Sequence, residues 1–177
     1  WRGVEDSDAA RLARVIARRS VGLVLSGGGA RAYAHIGVVR ALREAGLPFD
    51  VIGGTSMGAV IAACAAIGWD DNEIETRIRK AFVESNPLGD YMLPVVGLVR
   101  GKRVDDRLRD HFGDTLIEDL EMPFFAVSTN LVAGAVRVHR AGSLRRALRA
   151  SISLPGILPP VVEGDHELLV DGAVLKN

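Results

Sequence analysis

The sequence predicts an α/β fold built on a mainly parallel, covered sheet, and three observations predict it. Short apolar runs alternate with helix-forming segments along the chain. The runs are apolar at consecutive positions rather than every second one, as strands buried between helices are. Glycine-rich turns join a run to a helix at Gly27-Gly28-Gly29 and again at Gly53 to Gly58, the pattern of strand–turn–helix units.

Each element has a local reason. Residues 6–19 read as a helix, with Ser7 or Asp8 able to cap it and Leu12, Val15 and Ile16 on one face. Val21 to Leu25 is a short apolar strand running into the loop Ser26-Gly27-Gly28-Gly29. The spacing predicts a helix over 30–45, with Ile36, Val39, Ala41 and Leu42 inward and Gly46 closing its end. Phe49 to Ile52 is a second strand and Gly53 to Gly58 a turn. Ala59 to Ile67 is apolar nearly all round, hence a buried helix. Residues 71–83 form an amphipathic helix, 86–101 an irregular stretch and 104–111 a helix of alternating charges. Phe124 to Thr129 is a strand with which Val136 to His139 can pair. A basic helix over 143–150, a Pro-rich loop over 151–160 and a last strand, Leu168 to Val170, lead to Asp171.

The 177 residues suit one domain, 1–177, with no repeat, low-complexity tract or linker; residues 86–103 are the candidate flexible insertion. A net charge of zero argues against a general nucleic-acid binder. The single cysteine, Cys64, lies in an apolar run, which excludes a disulfide framework and points to a reducing compartment. No apolar stretch reaches the roughly 18 residues of a membrane span. The chain starts at Trp1, and Val170 to Asn177 reads as strand, turn and the start of a further element, so a piece of a longer chain is expected.

Gly54-Thr55-Ser56-Met57-Gly58 matches G-x-S-x-G. A serine on a sharp turn between strand and helix projects its hydroxyl into open space, with small residues on either side because strand and helix pack closely there. The helix N-terminus also favours developing negative charge. An apolar strand before the motif and an apolar helix after it make Ser56 a candidate nucleophile; the alternative is a capping serine in an ordinary turn.

Such chemistry needs backbone N–H groups aimed at an oxyanion, each contributing roughly 3 kcal/mol to the transition state. Gly27, Gly28 and Gly29 can supply them, and Arg31 in the same turn can steady the loop or meet a phosphate. Gly27 to Ala32 equally fits the dinucleotide fingerprint G-x-G-x-x-A, with Asp50 at about the right spacing but at the wrong end of its strand.

None of the four histidines, His35, His111, His139 and His166, has a catalytic setting. Asp171 ends an apolar strand and precedes Gly172, and the carboxyl ends of parallel strands form the ligand edge. A partly buried carboxylate there can act as a base toward serine. An ordinary Asp-Gly turn is the competing reading.

Three ordered motifs carry a resemblance: Ser26-Gly27-Gly28-Gly29-Ala30-Arg31, Gly54-Thr55-Ser56-Met57-Gly58 and Asp171-Gly172-Ala173. With Ala34-His35-Ile36-Gly37-Val38 and Ser151-Ile152-Ser153-Leu154-Pro155-Gly156, they make the chain from about Val21 onward resemble the patatin-like phospholipases, in the branch of the bacterial relatives of neuropathy target esterase. The resemblance implies a three-layer α/β/α domain and a Ser–Asp dyad of nucleophile Ser56 and general base Asp171. It also implies an oxyanion loop of Gly27, Gly28, Gly29 and Arg31, with Gly54, Thr55, Met57 and Gly58 as the nucleophile elbow. Hydrolysis of phospholipid or lysophospholipid acyl esters is implied, with no metal or organic cofactor. So are peripheral contact with a membrane, a cytoplasmic or cytoplasmic-side location, and regulatory domains upstream in a longer chain. Ala32 stands where the family usually has glycine, and Asn177 aligns with the start of the family's N-x-P segment.

Residues 91–99 are a candidate flap over an acyl chain, or a segment packed on the core. Arg145, Arg146 and Arg149 read as a solvated helix face, with lipid head groups as alternative partners. Two rival functions stand beside the dyad: a Ser-His-Asp α/β-hydrolase whose histidine lies beyond Asn177, and a non-enzymatic dinucleotide-binding or regulatory module using Gly27 to Gly29. The stretch between Gly29 and Gly54 holds a single helix, whereas an α/β-hydrolase takes its oxyanion loop from a much earlier strand.

Overall fold

The computed structural model describes residues 6–84, 100–164 and 166–177. Helix α1 (Asp6–Ile16) precedes two strand–turn–helix units. β1 (Gly22–Leu25) leads through the glycine loop into a 3-10 turn, Gly29–Tyr33, and then α2 (Ala34–Glu44). β2 (Val51–Thr55) leads into α3 (Met57–Ile67). Then come α4 (Asp71–Ile78), a π-helical turn over Arg79–Glu84, α5 (Lys102–Phe112), β3 (Phe124–Asn130), β4 (Ala135–His139), α6 (Leu144–Ser151), β5 (Val161–Glu163) and β6 (Glu167–Asp171).

Several elements depart from local expectation, for tertiary reasons. Ser7 and Asp8 lie inside α1, and Asp8 pairs with Arg11 at 3.0 Å. The helix expected over 30–45 begins as a 3-10 turn that takes in buried Ala32, and Ala41 faces solvent. Gly53, Gly54 and Thr55 belong to β2, not to a turn, because the glycines admit close neighbours: a Cβ at Gly53 would meet the Phe125 ring at 2.5 Å. β5 carried no separate signal in the sequence. Residues 86–99, with the candidate flap, lie outside the described residues.

The sheet runs β1-β2-β3-β6-β5, with β4 also on β3. β1, β2 and β3 are parallel; β6 opposes β3 and β5 opposes β6, so four of the six strands point one way. Residues 128–130 of β3 pair with β4 and β6 at once, so those two strands take opposite edges. Ala126 and Val127 pair with both β4 and β2. β2 and β6 therefore share one edge of β3 and meet head to head: Thr55 opposes Val127, and Asp171 opposes Ser128.

α3 fills one face. Every residue from Gly58 to Ala66 is buried, as its unbroken apolar sequence demands, between the sheet and α2, α4 and α6. α1 lies near the starts of β2 and β3, beside a cavity of about 750 Å³ lined by Leu12, Val15, Val51 and Phe125. A mostly parallel sheet packed with helices accords with a three-layer α/β/α arrangement.

Candidate active site

Ser56 is the one residue between β2 and α3, and its φ of 54° with ψ of −131° is unusual for a side chain with a Cβ. Such a conformation costs about 1–3 kcal/mol and persists only where its surroundings enforce it. Here the end of β1 does so. A Cβ at Gly54 would lie 2.3 Å from the Leu25 carbonyl oxygen, and one at Gly58 would lie 2.3 Å from those of Leu25 and Ser26. The Ser56 N–H donates to Ser151 Oγ at 2.9 Å, and its hydroxyl donates to Asp171 Oδ2 at 2.6 Å.

Asp171 closes β6 and is buried. Its Oδ1 accepts from the Ala173 N–H at 2.9 Å, and its own N–H donates to the Ser153 carbonyl at 2.9 Å. Burial pushes the carboxyl pKa up from the ordinary value, against the smaller opposing pull of the Ser56 hydroxyl and the Ala173 N–H. Gly172 is required by crowding: a Cβ would fall 2.5 Å from the Val127 carbonyl oxygen and 2.9 Å from Thr55 Cγ2. The expectation that Asp171 shares an edge with Ser56 as the end of a parallel strand is corrected. β6 is antiparallel to β3, and the two residues meet because β6 stops where β2 stops.

Gly28, Gly29 and Arg31 line a cavity of about 600 Å³ together with Ser56, Met57 and Asp171. Phe82, Val104, Ile152, Leu154, Ile157 and Leu158 make most of its wall apolar. Gly27 stands behind this surface, its N–H donating to Asn177 Oδ1 at 2.7 Å. A Cβ on Gly27 would crowd that oxygen at 2.9 Å and Ser56 Cβ at 3.1 Å. Gly54 and Gly58 pack beneath Ser56, and the Thr55 hydroxyl donates to the Lys176 carbonyl at 3.3 Å. A carboxylate in hydrogen-bond contact with a serine hydroxyl can take its proton during attack on a carbonyl carbon.

No histidine lines the cavity among the described residues. His35 Nε2 meets the Ser26 carbonyl at 3.0 Å, and buried His139 Nε2 meets Ser128 Oγ at 2.8 Å. Asp50, the acid a dinucleotide site would use, sits at the start of β2 and is held by Arg14 Nη2 at 2.6 Å, at the opposite end of that strand from the glycine loop. No cluster of three metal-ligating side chains occurs among the described residues.

Arg149 is not on a solvated face. It is buried, with Nε on Asp105 Oδ1 at 2.7 Å, Nη1 on Ser153 Oγ and Nη2 on the Pro159 carbonyl at 3.3 Å. Ser151, Ser153 and Arg149 are site neighbours whose contacts the sequence did not reveal. One residue past Leu148 and five past Leu144, Arg149 lies off the stripe those two leucines form, and its partners are remote in sequence.

The family profile described as patatin-like phospholipase matches residues 23–177. The chain is 50% identical over 166 residues to an uncharacterized NTE family protein of Mycobacterium tuberculosis, covering 94% of this chain and 28% of that protein. It is 42% identical over 177 residues to patatin-like phospholipase domain-containing protein 6 of Mus musculus (97% and 13%). It is 40% identical over 179 residues to neuropathy target esterase sws of Drosophila sechellia (97% and 12%). The chain thus spans 28% or less of the length of these relatives. The crystal structure of VipD from Legionella pneumophila shares its fold, with a TM-score of 0.64 at 17% identity over 89% of this chain and 46% of that one. This chain belongs to the patatin-like phospholipase family.

Proposed function

We propose that the chain is one catalytic unit that hydrolyses acyl esters of phospholipids or lysophospholipids, with Ser56 as nucleophile and Asp171 as general base. The observation that carries this is the 2.6 Å bond from Ser56 Oγ to Asp171 Oδ2 at the floor of an apolar-walled cavity. Two relatives named for esterase and phospholipase activity support the substrate class.

Asp171 takes the hydroxyl proton as Ser56 Oγ bonds to the ester carbonyl carbon. The resulting oxyanion faces the Gly28 and Gly29 N–H groups and Arg31, while Gly27, tied to Asn177, holds the loop in place. Collapse of the tetrahedral intermediate breaks the ester C–O bond, and Asp171 returns the proton to the departing alcohol or lysolipid. Water then attacks the acyl-enzyme, giving a proton to Asp171, and Ser56 recovers it as the fatty acid leaves. Peripheral contact with the cytoplasmic side of a membrane and regulation by upstream domains of a longer chain belong to the same reading. No helix among the described residues is long and apolar enough to cross a membrane.

A fluorophosphonate should label Ser56, and Ser56→Ala should abolish both labelling and short-chain ester turnover while the circular dichroism spectrum is retained. Turnover surviving in that variant would refute the assignment. Absence of labelling with tight nucleotide binding instead would favour the dinucleotide module.

A further inference from the structure

Ser56 and Asp171 lie far apart in sequence, on strands that touch only end to end, so something must set their separation. Hydrogen bonds between β2 and β3, and between β6 and β3, hold each strand to a common neighbour. The ladders end at Thr55, opposite Val127, and at Asp171, opposite Ser128, and Ser56 lies one residue beyond the first of them. The Ser56 N–H, turned out of α3 by the positive φ, has no carbonyl of its own strand or helix to meet.

Three consecutive residues at the end of α6 engage both tips. Ser151, fully buried, accepts the Ser56 N–H on Oγ at 2.9 Å and donates the same hydroxyl to the Val127 carbonyl at 2.6 Å. Two residues on, the Ser153 carbonyl accepts the Asp171 N–H at 2.9 Å. Ser153 is itself fixed: its Oγ donates to the Arg149 carbonyl at 2.7 Å and accepts from Arg149 Nη1. Arg149 reaches onward to Asp105 on α5 and to the Pro159 carbonyl. Ile152, between the two serines, lines the cavity.

We infer that Ser151-Ile152-Ser153, anchored by Arg149, is a positioning clamp that sets the Ser56–Asp171 contact by holding the backbone N–H of each. The inference rests on the dyad reading above. Ser151 and Arg149 are positioning residues, for neither side chain reaches the reacting atoms. The clamp's effect is therefore on the chemical step rather than on substrate capture. Misplacement of reacting groups by about 1 Å costs on the order of a hundredfold in rate.

The test is Ser151→Ala beside Ser56→Ala in the full chain, with a short-chain ester and a fluorophosphonate as probes. In Ser151→Ala, kcat should fall about 10- to 100-fold with KM little changed, and the labelling rate of Ser56 should fall in step. Hydrogen exchange at the Ser56 amide should quicken about tenfold or more, while that at Asp171 stays as in the parent. Ser151→Thr, which keeps the hydroxyl, should recover much of kcat. Full kcat in Ser151→Ala beside an inactive Ser56→Ala overturns the clamp and leaves the dyad standing. Turnover in Ser56→Ala overturns the dyad itself. Should Ser151→Ala not fold, Arg149→Lys is measured the same way, with Asp171 as the amide that loses protection. Unchanged kcat in that variant likewise overturns the clamp.

Discussion

Ser56 stands on β2, one turn residue and α3, consecutive pieces of chain packed against β1. Asp171 stands at the end of β6, delivered through antiparallel pairings with β3 and β5 and tied back to Ser153 after α6. The first half is a local device whose glycines and apolar runs dictate it residue by residue. The second is a matter of register: a two-residue shift of β6 along β3 would leave its alternation intact and carry Asp171 away from Ser56. The proposed pair thus joins a site made by short-range sterics to one made by long-range pairing.

The largest effect expected from breaking that comparison is on activity. Asp171→Asn should lower kcat about 10⁴-fold, as loss of the acid partner does in other serine hydrolases. The double variant with Ser56→Ala should be no worse than the poorer single one under the proposed dyad, in which the two side chains act as a unit. Additive losses in kcat would show that they do not.

Next come the close approaches. Gly58→Ala, with its Cβ 2.3 Å from two carbonyl oxygens, should lose about 3 kcal/mol of stability, and Gly172→Ala a comparable amount on the register-built side. Gly29→Ala meets nothing within 4 Å and carries only the strain of its φ of 56°, about 1 kcal/mol. Urea unfolding would rank the three, and Gly29→Ala as the most damaging would contradict the crowding account.

The gentlest probe compares two buried carboxylates at opposite ends of the sheet. Hydrogen bonds from Arg14, chiefly, hold the Asp50 pKa below its ordinary value. Its charged form stabilises the fold above the ordinary carboxylate pKa, and that contribution is lost as pH falls through the lowered folded value. Asp171 has the opposite sign. Its pKa is raised by burial, so the stability favouring its neutral form is present below the ordinary pKa and lost as pH rises through the folded value. At neutral pH Asp50→Asn should therefore destabilise while Asp171→Asn should not, and both differences should shrink in acid. Thermal unfolding across the acid-to-neutral range reads both. If Asp171 is the base proposed, ester turnover should decline as pH falls through its raised pKa, where protonation consumes it.

Much of this was legible beforehand because the physics was local. G-x-S-x-G after an apolar run dictates a strand, a turn and a buried helix; the structure starts the strand at Val51, admits Gly53, Gly54 and Thr55 to it, and gives Met57 and Gly58 to the helix. The pairing of β3 with β4 was also legible. The reversal of β6 was not, since Leu168 to Val170 is apolar at consecutive positions whichever way the strand runs. Arg149 was misread because a basic helix face looks solvated until Asp105, Ser153 and Pro159 are brought to it.

By itself, then, the sequence determined the α/β class, the strained seat of Ser56 and the family, because glycine sterics and apolar periodicity act between neighbours. Tertiary structure alone decided that β2 and β6 stop at adjacent residues of β3, and that Ser151 and Ser153 hold the two tips. Those contacts join residues remote along the chain, and their geometry exists only once the sheet has closed around them.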